Sequence, residues 1–366
     1  MQLKKLLPYT ILITIIFNHL IYCQEELEDT VGIRGINWFA YPFIFYSPET
    51  NWAFGGGGVI SYKFSDRIGS KPSNITASGF YSINNQYDLN LFPEFYLNED
   101  KQKLWFAVNY SKLFDRFYGI GNSTSEIKND KYFQQNLAFK FKFLTEAFVN
   151  ALKLGLIYEY RNMSIPDKRG NPFLESFGLI GNEGGKTSGL GIIATWDSRD
   201  NVYYPHTGGY YEFSFNSFQK KIGSDFIYNK YTFDFRRFFS PFNQHVFAIQ
   251  TFFMIETGSP PFYDLALFGG DRLMRGYITG RYRDRNYYVL QAEYRTSPLW
   301  KFRFVFFGGV GDVAPGISKF TISTIKPTYG MGIRFRLDEL EKLDLRMDVG
   351  FGKETSGIYF GVNQAF

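Results

Sequence analysis

Leu343-Asp344-Leu345-Arg346-Met347-Asp348-Val349 places an apolar residue at every odd position and a charge at every even one. Successive side chains of a strand point to opposite faces, so this stretch reads as a β-strand with one apolar and one charged face. Tyr329, Met331, Ile333, Phe335 and Leu337 repeat the pattern against Gly330, Gly332, Arg334 and Arg336. Tyr231, Phe233 and Phe235 repeat it against Lys230, Thr232, Asp234 and Arg236. In a water-soluble sandwich the apolar faces would meet in one core. Here nearly every strand has such a face, rings dominate it, and the opposite faces are strongly charged. A closed barrel with lipid outside and water or packed polar groups inside satisfies both faces.

The composition agrees. Of 366 residues, 42 are Phe, 27 Tyr and 5 Trp, yet the mean hydropathy is slightly negative. A helical membrane bundle needs several runs of about 20 apolar residues, and only the N-terminus has one long run. Sixteen alternating segments can be counted, the first at 36–46, the eleventh to thirteenth at 244–256, 286–296 and 301–311, and the last at 356–366. Fourteen is the alternative count, because the first strands alternate least clearly. Lengths of about ten residues suit tilted membrane strands, and an even count returns both ends to one side. Tight connections at Asn98-Glu99-Asp100-Lys101, Ser240-Pro241-Phe242-Asn243, Ser297-Pro298-Leu299 and Asp338-Glu339-Leu340-Glu341 read as periplasmic turns. Longer ones at 114–131, 162–186 and 257–285 read as extracellular. The fold class is therefore all-β, a transmembrane sixteen-stranded antiparallel outer-membrane barrel.

Lys4 and Lys5, the apolar stretch Leu6 to Tyr22 and the acidic segment from Gln24 have the layout of a signal peptide over residues 1–23, leaving 24–366 as the barrel domain. Removing both lysines takes the net charge from +5 to +3, which argues against nucleic acid as a partner. Cys23 is the sole cysteine, excluding internal disulfides and multi-cysteine metal sites. Tyr22 before it is a poor fit to a lipidation signal, and cleavage near Cys23 to Gln24 is the simpler reading. No cofactor and no metal are expected.

Two further features stand out. In the last segment Ile358, Phe360, Val362 and the terminal Phe366 fall on one face, with Gln364 the only polar member. A barrel strand ending in Phe has the form of a C-terminal signal read by the outer-membrane assembly machinery. The segment Pro260 to Asn286 is long for a loop and apolar, with Phe262, Leu265, Leu267, Phe268, Leu273 and Met274. Loops of this length are usually functional or disordered, and this composition argues against disorder. The lumen is the nearest surface on which it could pack.

The stretch Leu267-Phe268-Gly269-Gly270-Asp271-Arg272-Leu273-Met274-Arg275-Gly276-Tyr277 resembles the Gly-Gly, then Arg-Gly-aromatic, signature of the bacterial surface antigen barrels, the BamA/TamA-like superfamily. Trp196-Asp197-Ser198-Arg199-Asp200, with Pro205 and Gly208-Gly209, is similar to another recurring stretch of that family, at the turn between strands eight and nine. The resemblance implies that the sixth extracellular loop folds into the lumen, carrying Gly269, Gly270, Arg275, Gly276 and Tyr277. It implies that Arg275 meets an inward patch on strand thirteen, here Phe307, Gly309, Gly311 and Asp312. Gly309 stands where many relatives place an acid, and Asp312 is on the opposite parity, so the acidic partner of Arg275 is left open. Relatives that assemble or secrete proteins carry periplasmic POTRA domains. Residues 24–35 are too few for one, so recruitment is expected to depend on a separate periplasmic partner.

Other signals are weaker. Gly184-Gly185-Lys186-Thr187 resembles the end of a phosphate-binding loop, but the earlier glycine position holds Ile180 and a strand follows. Beyond the signal segment only His206 and His245 remain, neither beside a nucleophile motif, so no enzyme activity is expected. Arg281, Arg283 and Arg285 suit lumen salt bridges or lipopolysaccharide phosphates. The functional expectation is an outer-membrane component that assists insertion or translocation of proteins or lipids, in contact with outer-membrane lipid and lipopolysaccharide. The alternatives are a mainly structural barrel or a passive channel lined by Lys140, Lys142, Glu293, Arg295, Arg334 and Asp344.

Overall fold

The computed structural model describes residues 36–47, 50–64, 70–176, 178–202, 204–338 and 343–366. The export signal read at 1–23 and the turn residues 339–342 lie outside them. Sixteen strands form one antiparallel sheet in chain order. They are β1 (Ile36–Ser47), β2 (Asn51–Tyr62), β3 (Ser73–Ser82), β4 (Tyr87–Leu97), β5 (Gln102–Arg116), β6 (Lys131–Ala147), β7 (Val149–Asp167) and β8 (Gly184–Asp197). The second half comprises β9 (Gly208–Phe218), β10 (Tyr228–Phe239), β11 (Val246–Gly258), β14 (Asn286–Arg295), β15 (Phe302–Ala314), β16 (Lys326–Asp338), β17 (Leu343–Gly352) and β18 (Thr355–Val362). Between β11 and β14 the long loop contributes a separate hairpin, β12 (Ala266–Phe268) and β13 (Tyr282–Asp284). The predicted strands differ from these by a few residues at their ends.

The period-two pattern determines which way each strand faces. On β17, Asp344, Arg346 and Asp348 are buried inside while Leu345 and Met347 are exposed, and β16 repeats this with Arg334 and Arg336 inside and Met331 outside. Outward residues such as Leu156, Ile192, Phe306 and Phe360 are open because the sheet presents them to lipid. Ring stacks between strands, such as Phe213 against Phe233 at 4.9 Å and Phe215 against Tyr231 at 4.9 Å, add to the outer belt.

The expected closure is corrected at the seam. Among the described residues no ladder joins β1 to β18, so the sheet has two free edges. Both edge strands suit that role. β1 carries Pro42, which has no N–H to donate and is tolerated at sheet edges, and β18 is the shortest of the sixteen, at 8 residues. On the lumen face of β1 the rings of Phe39, Tyr41, Phe43 and Phe45 form a column with centroids 5.7 to 6.2 Å apart, while Gly55 and Gly57 of β2 lie opposite Phe43 and Tyr41. This strand is apolar on both faces.

The placement of Phe366 is also corrected. Ile358, Phe360 and Val362 are exposed on the outer face of β18, but the strand ends at Val362 and Asn363 takes a left-handed φ of 65°. That residue breaks the alternation. Phe366 turns inward and is buried with Ala365, Tyr204, Phe238, Val246 and Ala248 at the short-turn end of the lumen. Because Phe-to-Ala in a packed site costs roughly 3–5 kcal/mol, Phe366→Ala should lower the temperature at which the folded band is lost in heat-modifiability gels. Ile358→Ala on the lipid face should leave it nearly unchanged.

Candidate functional site

The connection 259–285 is the sixth at the long-loop end and descends into the lumen. Its hairpin pairs Ala266 with Asp284 and Phe268 with Tyr282. Gly269 and Gly270 form the turn after β12, with φ of 95° and 134°. Phe268, Met274 and Tyr277 then pack with Tyr287 and Val289 of β14 and Val313 of β15 in one buried cluster. The apolar residues that make this segment unusual as a loop are the ones that bury it.

Arg275 sits at the tip with its side chain 1% exposed. Its Nη2 donates to Glu293 Oε1 of β14 at 2.5 Å, and its Nη1 donates to Asp348 Oδ2 of β17 at 2.6 Å. Both acids are fully buried. The guanidinium plane lies 3.5 Å from the ring centroid of Phe307 on β15. A planar group with five donors can bridge two carboxylates and stack at once, which an ammonium cannot. The network continues from each acid. Asp348 accepts from Arg334 Nη1 at 2.5 Å, and Glu293 from Arg295, whose Nη2 also donates to the main-chain oxygen of Phe366 at 2.7 Å. Arg334 Nε donates to Gln364 at 2.9 Å. The last three residues and the loop tip are therefore held by one set of buried charges.

Close backbone contact makes that geometry reachable. Gly276 has a φ of 111°, and an added Cβ would come within 2.5 Å of the Phe351 main chain; on β17, a Cβ at Gly350 would lie 2.7 Å from the Arg275 carbonyl carbon. Tyr277 is fixed at both ends. Its hydroxyl donates to Pro327 O at 2.9 Å and accepts from Lys353 N at 2.8 Å, while its carbonyl accepts from the Tyr359 hydroxyl of β18. Thr328 Oγ1 donates to the Arg275 carbonyl, and Arg346 donates to Asp271 O and Oδ2 at 3.1 and 3.0 Å.

Of the patch expected on the thirteenth barrel strand, β15, Phe307 stacks on Arg275, and a Cβ at Gly311 would come 3.2 Å from Met274 Sδ. Gly309 faces Gln291, whose amide donates to Arg272 O at 2.9 Å. Asp312 lies elsewhere: at the rim it accepts from Lys326 at 2.8 Å, from Thr324 at 2.5 Å and from Asn122 at 3.2 Å. The acids at Arg275 are Glu293 and Asp348, one strand to either side of the β15–β16 pair. Motif reading missed them because 18 and 73 residues separate them from Arg275. Their signal was an acid on the inward parity of a strand whose outward parity is apolar.

A second anchor holds the base of the loop. The side chain of Asp264, 8% exposed, accepts from Lys230 Nζ at 2.7 Å and the Tyr228 hydroxyl at 2.6 Å, and pairs with Arg161 at 3.2 Å. Burial works against its charge, but Lys230 and Arg161 hold the carboxyl below its ordinary value. Nearby, Phe117, Tyr132, Ile165, Leu174, Phe262 and Leu265 join three of the long loops in one apolar cap. Arg283 donates to Arg116 O at 2.9 Å, and Arg281 to Thr124 O at 2.8 Å. Two of the three clustered arginines thus tie the loop to segment 116–130.

The charges that a channel would need are largely paired. Lys140 meets Glu159 at 2.6 Å, Lys142 meets Glu212 at 2.9 Å and Arg336 meets Asp344 at 2.5 Å. At the short-turn end, Tyr204 enters the lumen from the turn 198–207, with Arg303, Arg336 and Arg295 4.7 to 5.7 Å from its ring. In that turn Asp200 accepts from His206 N and Thr207 N at 2.8 and 3.1 Å. His206 is thereby a turn residue. Among the described residues no group of His, Cys, Asp and Glu has the geometry to hold a metal.

An apolar-walled antiparallel sheet of sixteen strands with its sixth long loop anchored in the lumen defines a bacterial outer-membrane β-barrel protein. The chain belongs to the Omp85 superfamily, whose domain matches residues 68–366. Similar solved structures include BamA from Haemophilus ducreyi lacking POTRA domains 1–3, with a TM-score of 0.58 over 90% of this chain and 69% of that one. Another is CdiB from Acinetobacter baumannii, with a TM-score of 0.55 over 90% of this chain and 59% of that one. Both are 12% identical to this chain, so they speak for the fold alone. No curated protein matches it.

Two outcomes follow for the loop. Arg275→Ala leaves Glu293 and Asp348 buried without their shared partner, a change that costs about 3–5 kcal/mol. Added protease should then cut within 262–280 of the folded barrel, and Arg275→Lys should restore only part of the protection. For Asp264, a carboxyl held below its unfolded pKa of ~3.9 stabilises the fold above that pH and loses the contribution as pH falls through the native value. Hydrogen-exchange protection at 259–265, measured relative to the intrinsic rate at each pH, should therefore fall below pH ~4, and Asp264→Asn should show the lower protection already at pH 7.

Proposed function

We propose that this chain is the membrane component of a device that inserts or translocates proteins, or lipids, at the outer membrane. In this reading it is not an enzyme and works with a separate periplasmic partner that recruits clients. The observation that carries it is the placement of the loop anchor beside the free edge. Arg275, Gly276 and Tyr277 grip β14, β16, β17 and β18, so the C-terminal wall is braced from inside while, among the described residues, no ladder joins β18 to β1. A wall braced in this way could part from β1 without losing its own order. Membership of the Omp85 superfamily supports a role of this kind. The domain is taken as residues 24–366, with 1–23 as the export signal.

The loop motif, the β15 contacts and the outward residues Ile358, Phe360 and Val362 are assigned to this role: the first two hold the loop, and the last three, with Phe366, guide insertion of the barrel itself. Outer-membrane lipid, lipopolysaccharide and the assembly machinery are the surroundings it meets on that path.

Disulfides scanned between β1 and β18 test the reading in membranes carrying a reporter client. Locking the seam should abolish client insertion or export, and reduction should restore it. Full activity with the seam locked removes seam opening from the mechanism. In planar bilayers the intact chain should show small, irregular conductance, and deletion of 262–280 should enlarge it. Steady large openings of the intact protein would favour a passive channel instead.

A further inference from the structure

A cavity of about 500 Å³ lies at the long-loop end, separate from the Arg275 anchor, between the loop after β5, the loop after β7 and the base of the sixth loop. Ile120, Leu179, Phe262 and Leu265 give it apolar walls, and Asp284 lies in its lining. This acid is 3% exposed. Its Oδ1 accepts from Arg285 N at 2.8 Å, while among the described residues Oδ2 has no hydrogen-bond partner and the carboxylate has no ion pair. The cations nearby are engaged elsewhere: Arg281 on Thr124, Arg283 on the Arg116 carbonyl and Lys326 on Asp312. Arg285, which also lines the cavity, makes no ion pair with Asp284. Burial pushes the Asp284 carboxyl up from its ordinary value, an effect that the Arg285 main chain and charge oppose and Asp312 reinforces.

We infer that this cavity binds a small organic ammonium ion, its nitrogen on Asp284 and its alkyl body against Phe262, Leu265 and Leu179. A buried carboxylate that no cation contacts is costly even with the Arg285 charge nearby, and a primary ammonium supplies both a contacting charge and donors for the open oxygen. An anion would meet Asp284, with Asp312 close behind it. A neutral apolar molecule would fill the walls and leave the acid uncompensated. The volume lies within the range of small-molecule pockets, and apolar walls with a few polar groups, here Asp284 with Asn122, Ser123, Ser259 and Arg285, are the form such sites take.

The test is calorimetry on the purified full chain in detergent, titrated with n-butylammonium chloride and, separately, with sodium butyrate. n-Butylammonium should bind saturably and butyrate should not. Asp284→Asn, which keeps an acceptor for Arg285 N, should weaken n-butylammonium at least about tenfold, as for loss of a charged hydrogen bond. Ile180→Trp, at the rim and 42% exposed, keeps the acid but crowds the cavity, and should weaken binding as well. Heat-modifiability gels establish that each variant is folded. Absence of saturable n-butylammonium binding to the intact chain overturns the inference, as does undiminished affinity in folded Asp284→Asn; should that variant not fold, undiminished affinity in Ile180→Trp does so.

Discussion

One guanidinium between two buried acids organises the lumen. Removing three charges from water costs several kcal/mol for each ion, and only good geometry with further hydrogen bonds offsets that. Arg275 meets the condition with a short bond to each acid and a ring beneath its plane. The same acids orient Arg295 and Arg334, which reach the chain end through Phe366 and Gln364. Guanidinium groups outnumber carboxylates on this wall; some of their remaining donors go to carbonyl oxygens, as with Arg346 on Asp271 and Arg295 on Phe366, while Arg275 Nε, Arg295 Nη1 and Arg346 Nε are buried without a hydrogen-bond partner among the described residues. A change at any of these positions is therefore felt at the others.

The wall across the seam from the anchor differs in kind. β1 and β2 carry rings and glycines in place of charges on their inner face. The two edges that meet at the seam are thus unequal: β18 is fastened through Tyr359 to the loop, while among the described residues β1 pairs with β2 alone and adds a ring contact from Phe45 to Phe80 of β3. Motion at the seam would belong mainly to β1 and its neighbours. Apolar clusters stand at both ends of the lumen, the cap around Phe262 and the group of Tyr204 with Phe366.

Much of the architecture was legible because lipid and water impose their demands residue by residue. The segment 286–296 was readable as a strand from its own alternation, and β14 spans Asn286–Arg295. Arg275 and Tyr277 were legible through a motif. The hairpin β12–β13 was not, since each arm has only three residues, too short for any period to show. Gly350 and Gly352 were not singled out by the alternation; the loop backbone and the Tyr277 ring come close to them, so their lack of a side chain serves docking.

The amino-acid order by itself determined the strands, the side each residue faces and the outer aromatic belt, because alternation is a local property of an extended chain in contact with two solvents. Only the tertiary structure decided which acid Arg275 meets, since Glu293 and Asp348 are brought to it by the curvature of the sheet across 18 and 73 residues. It also decided the fate of Phe366. One left-handed residue, Asn363, cancels the parity that alternation would assign, and the ring goes to the lumen because a packed pocket awaits it there.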